Sequence, residues 1–270
     1  MAISFDGTGA ERTAEAAAIF AELSSGSGEP VVLTTLSGAD LCVLGRQEGP
    51  VAWEALARSW SRLKPEERSK VIESRAGQML ERGLLIADSP GQGYDALARY
   101  GTSAKLGIAL AAQANPTFVI TSSFSPKQAP LILFALGDAT APVRGIVMEV
   151  PSLIPGKEKE TLEWGPLSWQ FNHLLVTVDF AGQYLTEWTI KSTPVNALRK
   201  RAARRVALYR PGEGGTPAAE LAVAGDGTSA RVTGAGVSGE YDSAGLRAVL
   251  LNLFGQGGAA PRSALLSQAP

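Results

Sequence analysis

The sequence predicts an α+β protein with antiparallel sheets. Helix-forming runs dominate residues 11–114 and β-prone runs dominate residues 117–233. Two stretches then repeat one order of elements. Each runs helix, strand, Pro- or Gly-bearing loop, strand, Gly-Asp turn, strand, helix. This divides the chain into an N-terminal helical region with one short strand (1–93), a first half (94–190), a second half (191–254) and a loose tail (255–270). Two such helix–three-strand–helix halves would associate about a pseudo-twofold axis and leave a groove or broad face.

In order, residues 11–24 are rich in Ala, Glu and Leu and read as a helix. Val31–Leu36 is β-prone. Ser37 or Asp40 caps a brief helix that stops at Gly45. In Val51–Leu63, Trp53, Leu56 and Trp60 share a helical face. Pro65 opens the next helix, Glu66 and Glu67 complement its dipole, and Gly83 stops it. Leu84–Ile86 is extended. Tyr94–Ala114 reads as helix with a break near Gly101, ended by Asn115-Pro116.

Thr117–Ser122, Leu131–Leu136 and Val143–Val150 are the first set of strands. Leu131–Leu136 is apolar at every position and predicts a central strand covered on both faces. Gly137-Asp138 begins the turn that follows it. Phe171–Ile190 fits either period; its length favours a helix, its Val-Thr-Val-Asp-Phe core a strand, and helix is the reading taken. Pro194–Arg205 reads as a basic helix. Arg205–Arg210, Ala218–Ala224 and Thr228–Thr233 are the second set of strands, with Gly225-Asp226-Gly227 a hairpin signal. Asp242 or Ser243 caps a final helix striped by Leu246, Val249, Leu250 and Leu253.

Composition excludes some roles. Of 270 residues, 45% are hydrophobic and 19% charged, which suits a sizeable ordered core. A net charge of −1 gives no global pull toward nucleic acid or anionic membrane. The one cysteine, Cys42, can form no internal disulfide, as suits a reducing compartment. The start lacks a basic and apolar leader, and no run approaches the roughly 18 apolar residues a span requires. A cytoplasmic protein without membrane insertion is expected.

Chemistry-bearing residues are sparse. His173 is the single histidine; on a helix it points away from the Leu174–Val178 stripe and reads as an ordinary surface or hydrogen-bonded residue. Cys42 and His173 form a nucleophile pair only formally, since neither sits in a nucleophile motif. One Cys and one His exclude the usual structural zinc. Glu158 and Glu160 lie in a lysine-interleaved loop, and Gly225–Gly227 lacks calcium-ligand spacing. No phosphate-binding or dinucleotide-binding glycine motif occurs. The reading is non-catalytic, with no cofactor and no metal.

Binding candidates remain. Trp164 and Trp169 flank Gly165-Pro166 and suit partner anchors or a cover for the sheet end. Glu220 and Arg231, from the more exposed strands at 218–233, complete the partner-binding set. Arg199, Lys200, Arg201, Arg204 and Arg205 form a patch for an anion or acidic partner, or else a solvated helix face. Residues 51–86 mimic a winged-helix reader, so a DNA-binding regulator is the alternative. Its basic residues Arg68, Lys70, Arg75 and Arg82 are interleaved with Glu66, Glu67, Glu73 and Glu81, against the one-sided charge DNA requires. An enzyme with dispersed carboxylates is a third reading.

The order of motifs resembles the ESX-secretion-associated EspG family, cytosolic chaperones of type VII secretion in actinobacteria. The residues that carry it are LTTLSGADLCVLG (33–45), the charged helix ending MLERGLL (79–85), the two strand meanders with Gly-Asp turns, and the apolar C-terminal helix. The segment between the meanders is shorter than the family's and the central helical portion is reduced. The resemblance implies an α+β fold of two related halves and a partner that is a secreted helical heterodimer of the PE–PPE type, bound on an exposed face. It assigns no binding residue.

Overall fold

The computed structural model describes residues 10–25, 28–45, 53–87, 93–95, 98–124, 128–137, 143–152, 165–191, 203–213 and 215–257. The N-terminal part comprises α1 (Ala10–Ser25), β1 (Val31–Ser37), α2 (Gly38–Val43), α3 (Glu54–Ser61), α4 (Pro65–Glu81), β2 (Leu85–Ile86), β3 (Gly101–Thr102) and α5 (Ala104–Ala114). Local chemistry sets these boundaries. Ser37 and Asp40 form a reciprocal capping box on α2: Asp40 N donates to Ser37 Oγ at 3.1 Å and Ser37 N to Asp40 Oδ2 at 2.8 Å. Pro65 occupies the first turn of α4, and Lys64 N donates to Glu67 Oε2 at 2.8 Å.

Helix over Tyr94–Ala114 holds only from Ala104. Gly101–Thr102 instead pairs with β2 in a two-stranded ribbon, and Ser103 caps α5 by accepting from Leu106 N. A hydroxyl cap beside an extended pair satisfies the same backbone groups as another helical turn.

The rest of the chain gives β4 (Val119–Ser123), β5 (Leu131–Leu136), β6 (Gly145–Ser152), a 3₁₀ turn (Pro166–Ser168), β7 (Gln170–Val176), α6 (Val178–Ile190), β8 (Arg204–Tyr209), β9 (Ala219–Gly225), β10 (Ser229–Gly234), β11 (Val237–Asp242) and α7 (Ser243–Gly257). Nine strands form one antiparallel sheet in the order β1-β7-β6-β5-β4-β8-β9-β10-β11. Two four-stranded meanders, β4–β7 and β8–β11, thus meet at their first strands. The expected three strands per half become four, and the expected separate sheets become one.

Each added strand has a local cause. Phe171–Ile190 divides at Thr177, whose Oγ1 accepts from Phe180 N at 3.2 Å and caps α6. The residues before it pair with β1 and β6 as β7. The segment is therefore neither the single helix expected nor a single strand. Strand β11 follows a two-residue loop, Ala235-Gly236, with φ of 47° and 77°. Positive φ at both positions matches the twist of a hairpin. Part of the expected basic helix, Pro194–Arg205, lies outside the described residues; Arg204 and Arg205 open β8.

Helices cover the sheet unequally. On one face α6 and α7 pack over both meanders, burying Leu131, Leu133, Ile146, Met148, Val206, Leu221, Val223, Val232, Leu246 and Leu250. On the other, α1 and α5 bury Leu33, Val119, Ile132, Phe134, Val147 and Leu175. Strand β5 is thus covered on both sides, as its unbroken apolar run predicts. That second face continues across β8–β11 exposed at Arg205, Glu220, Arg231, Thr233, Ser238, Glu240 and Asp242. A separate cluster joins α2, α3 and α4 through Leu41, Trp53, Leu56, Trp60, Met79 and Tyr100.

The β9–β10 hairpin is closed by Asp226. Its carboxylate accepts from Thr228 N and Ser229 N at 2.8 and 2.7 Å, and from both hydroxyls at 3.0 Å. The backbone donors of Ser229 and Thr228, then their hydroxyls, hold its pKa far below the usual carboxylate range. A depressed folded pKa stabilises above the unfolded value and loses that effect as pH falls through the folded one. The stability difference between wild type and Asp226→Ala is therefore expected to be full at neutral pH. Urea titrations should show it shrinking below the ordinary carboxylate pKa of about 4.

Candidate functional site

The open face of β8–β11 collects three of the residues singled out from sequence. Arg205 Nη2 donates to Glu220 Oε2 at 2.6 Å across β8 and β9, and Arg231 stands opposite Glu240 across β10 and β11. The four side chains make two separate pairs of opposite sign, since Arg231 is level with Ala224 and Glu220 lies four residues further along β9. Exposed pairs of this kind contribute about 0–1 kcal/mol to stability, so neither is a major prop of the fold.

The other predicted residues that are described do not join them. Trp169 is half-buried beyond the far end of the sheet, edge-on to Trp53 with ring centroids 6.0 Å apart. Its carbonyl accepts from Gly38 N at 2.8 Å, so it serves the N-terminal core. Trp164, Arg199, Lys200 and Arg201 lie outside the described residues. Arg204 and Arg205 occupy successive positions of one strand and so face opposite sides of the sheet. As members of a single patch they are separated: Arg205 meets Glu220 in the open, and Arg204 turns into the core.

Arg204 is 4% exposed. Its guanidinium lies 3.7 Å from the Phe124 ring centroid and 4.9 Å from that of Trp188. No carboxylate among the described residues pairs with it, and burial lowers its pKa to about 10. The rings contribute cation–π attraction in place of a counter-ion. Trp188 ends a ladder on α6, stacked on Tyr184, which stacks on Phe180.

His173 also departs from expectation. It lies wholly buried on β7, not on a helix surface. Its Nε2 is 3.3 Å from Glu149 Oε2 on β6, and Gln113 Nε2 of α5 donates to the same oxygen at 3.0 Å. With Nε2 protonated, both donors converge on that carboxylate oxygen, and Nδ1 is left without a partner among the described residues. The wholly buried trio offers a substrate no access. It is a buried polar island under α5 with one unmet atom, His173 Nδ1, and Glu149 and Gln113 are the residues sequence reasoning missed. The available signal was Glu149 itself, the one charge in the apolar strand Gly145–Val150.

Cys42 belongs to the N-terminal cluster, where burial pushes its thiol pKa up to about 12. Only the thiolate attacks, so Cys42 is expected to resist alkylation at pH 8 in the folded protein. It should react at once after denaturation, as mass spectrometry of the labelled protein would read.

Within residues 51–86 three cations hold local acceptors: Arg68 donates to the Leu63 and Ser61 carbonyls, Arg82 to the Thr35 carbonyl and Arg75 to Gln78 Oε1. Arg58, Arg62, Lys64, Lys70 and Arg82 are exposed, interleaved with exposed Glu66, Glu67, Glu73 and Glu81.

Together these features define an α+β protein on one large antiparallel sheet beside a two-stranded ribbon, with one meander buried on both faces and the other chiefly on one. Among the described residues no group of His, Cys, Asp and Glu is placed to hold a metal ion, and no helix is long and apolar enough to cross a membrane. Comparison finds no matching family model, no matching curated protein and no matching solved structure.

Proposed function

We propose that this chain is a non-catalytic cytosolic protein that binds another protein on the open face of β8–β11, as a chaperone of type VII secretion. The observation that carries the binding reading is the unequal cover of the sheet. Among the described residues no helix covers this face from β9 to β11, and it is open on β8 only at Arg205, since Ala207 is buried and Tyr209 packs with the α1 and α5 cluster. Such a face, charged and self-neutralised by Arg205, Glu220, Arg231 and Glu240, suits a partner held by polar complementarity rather than by a large apolar seam. The secretion reading rests on the resemblance of motif order to the EspG family.

The same proposal includes a duplication. Each meander has four antiparallel strands and ends in a helix, α6 or α7; the helices pack together on one face. A twofold axis through the β4–β8 pair relates such units. In this reading the first copy acquired a second helical layer and the second kept its face free.

The test is co-expression with secreted helical heterodimers of the PE–PPE type. A stable complex is expected, and Thr233→Arg or Arg231→Glu, both exposed on the open face, should abolish it without lowering Tm. Absence of a complex at gentle salt, or one indifferent to both substitutions, overturns the reading.

A further inference from the structure

We propose that Arg204 and Trp188 form a binding site for an oxyanion, a carboxylate or phosphate group, between β8 and α6. Arg204 Nε and Trp188 Nε1 are both buried and have no hydrogen-bond partner, and so is Ser122 Oγ. The three stand on one side of the β4–β8 junction. Phe124 stacks on Arg204 from the β4 side, and Ser122 is two residues back on the same face. Leaving a buried donor unpaired costs about 1–3 kcal/mol, more when it is charged. Gathering them in one place without an acceptor is a cost that a ligand can remove.

The rings define what kind of ligand. Phe124 and Trp188 lie against the guanidinium at 3.7 and 4.9 Å and occupy its π surface. The in-plane edge, with its forked N–H groups, remains. That edge matches the two oxygens of a carboxylate or phosphate side-on. The Trp188 indole N–H adds a neutral donor beside it. A cation ligand is excluded by the charge already present, and a purely apolar one by the donors. The inference is independent of the partner proposed for the open face, because Arg204 projects from the opposite side of β8.

The source of the oxyanion is either a free small anion or an acidic side chain of a bound protein; the two share this chemistry. The full-length protein is titrated at constant ionic strength with inorganic phosphate, with succinate and with a glutamate-rich peptide, against chloride. Thermal shift and tryptophan fluorescence are read. Saturable stabilisation by phosphate or succinate is expected if free anions are bound, and by the peptide alone if the source is a protein side chain. Trp188→Phe keeps a ring and removes the N–H, so about tenfold weaker binding is expected. Arg204→Gln should abolish the response. If Arg204→Gln fails to fold, Trp188→Phe and Arg204→Lys carry the test. A wild type that responds to all three probes no more than to chloride overturns the site. So does a Trp188→Phe protein with undiminished affinity.

Discussion

Glu149→Ala is expected to destabilise the protein by about 2–5 kcal/mol, the cost of opening a cavity in the core and removing a buried acceptor. Glu149 is 3% exposed and sits centrally in β6, paired with β5 on one side and β7 on the other. Its Oε2 is the shared acceptor for Gln113 and His173. Truncation removes the acceptor the two share, leaving them only each other at 3.2 Å between their Nε2 atoms, and adds a void under α5. Glu149→Gln keeps volume and one acceptor, so about 1–2 kcal/mol is expected. The informative comparison is the triple variant Glu149→Met, His173→Leu, Gln113→Leu. Replacing all the polar partners by apolar groups of similar size restores most of the loss if the trio has no role beyond filling the core. Urea denaturation of the three variants measures this. A Glu149→Ala midpoint equal to wild type would show that the trio carries no coupling.

The trio also marks what was legible in the sequence. The apolar run Leu131–Leu136, the Ser37–Asp40 cap, Pro65 and the Gly225-Asp226 turn each carry their own signal, so the corresponding elements appear where expected. What escaped were features decided by two opposing local signals or by distant partners. Thr177 is both a good strand residue and a good cap; its capping of Phe180 N split a segment that periodicity alone left undivided. Gly236 supplies the positive φ that creates β11, in a stretch whose alternating burial is too polar to read as a strand. His173 could be placed only by register. Opposite Glu149 on one side and Thr34 on the other, it is buried because β7 lies between β1 and β6. Nothing within several residues of it announces that. Arg204 and Arg205 part for the same reason: a strand sends them to opposite faces, whereas the expected helix would have left both in solvent.

Gly225→Ala is expected to cost about 3 kcal/mol through overpacking, lowering Tm by roughly 6–10 °C. A Cβ at this position would lie 2.5 Å from Ile190 O, 2.7 Å from its Cα and 2.9 Å from its carbonyl carbon. All three are backbone atoms at the C-terminal end of α6, so no rotamer change relieves the clash. The contact is reinforced one turn away, where Gly227 N donates to Ile190 O at 3.0 Å. The β9–β10 hairpin therefore grips the end of α6, two residues beyond Trp188. Forcing the two apart moves Trp188 relative to Arg204, whose strand stays fixed between β4 and β9. The same substitution should thus weaken the response to oxyanions as well as stability. Thr228→Ala, in the exposed turn and away from Ile190, lowers stability by loosening Asp226 but leaves the position of α6 unchanged. Comparing anion titrations of the two variants at temperatures well below both midpoints separates displacement of α6 from general loss of stability. Equal anion affinity in Gly225→Ala and Thr228→Ala would show that the hairpin does not position Trp188.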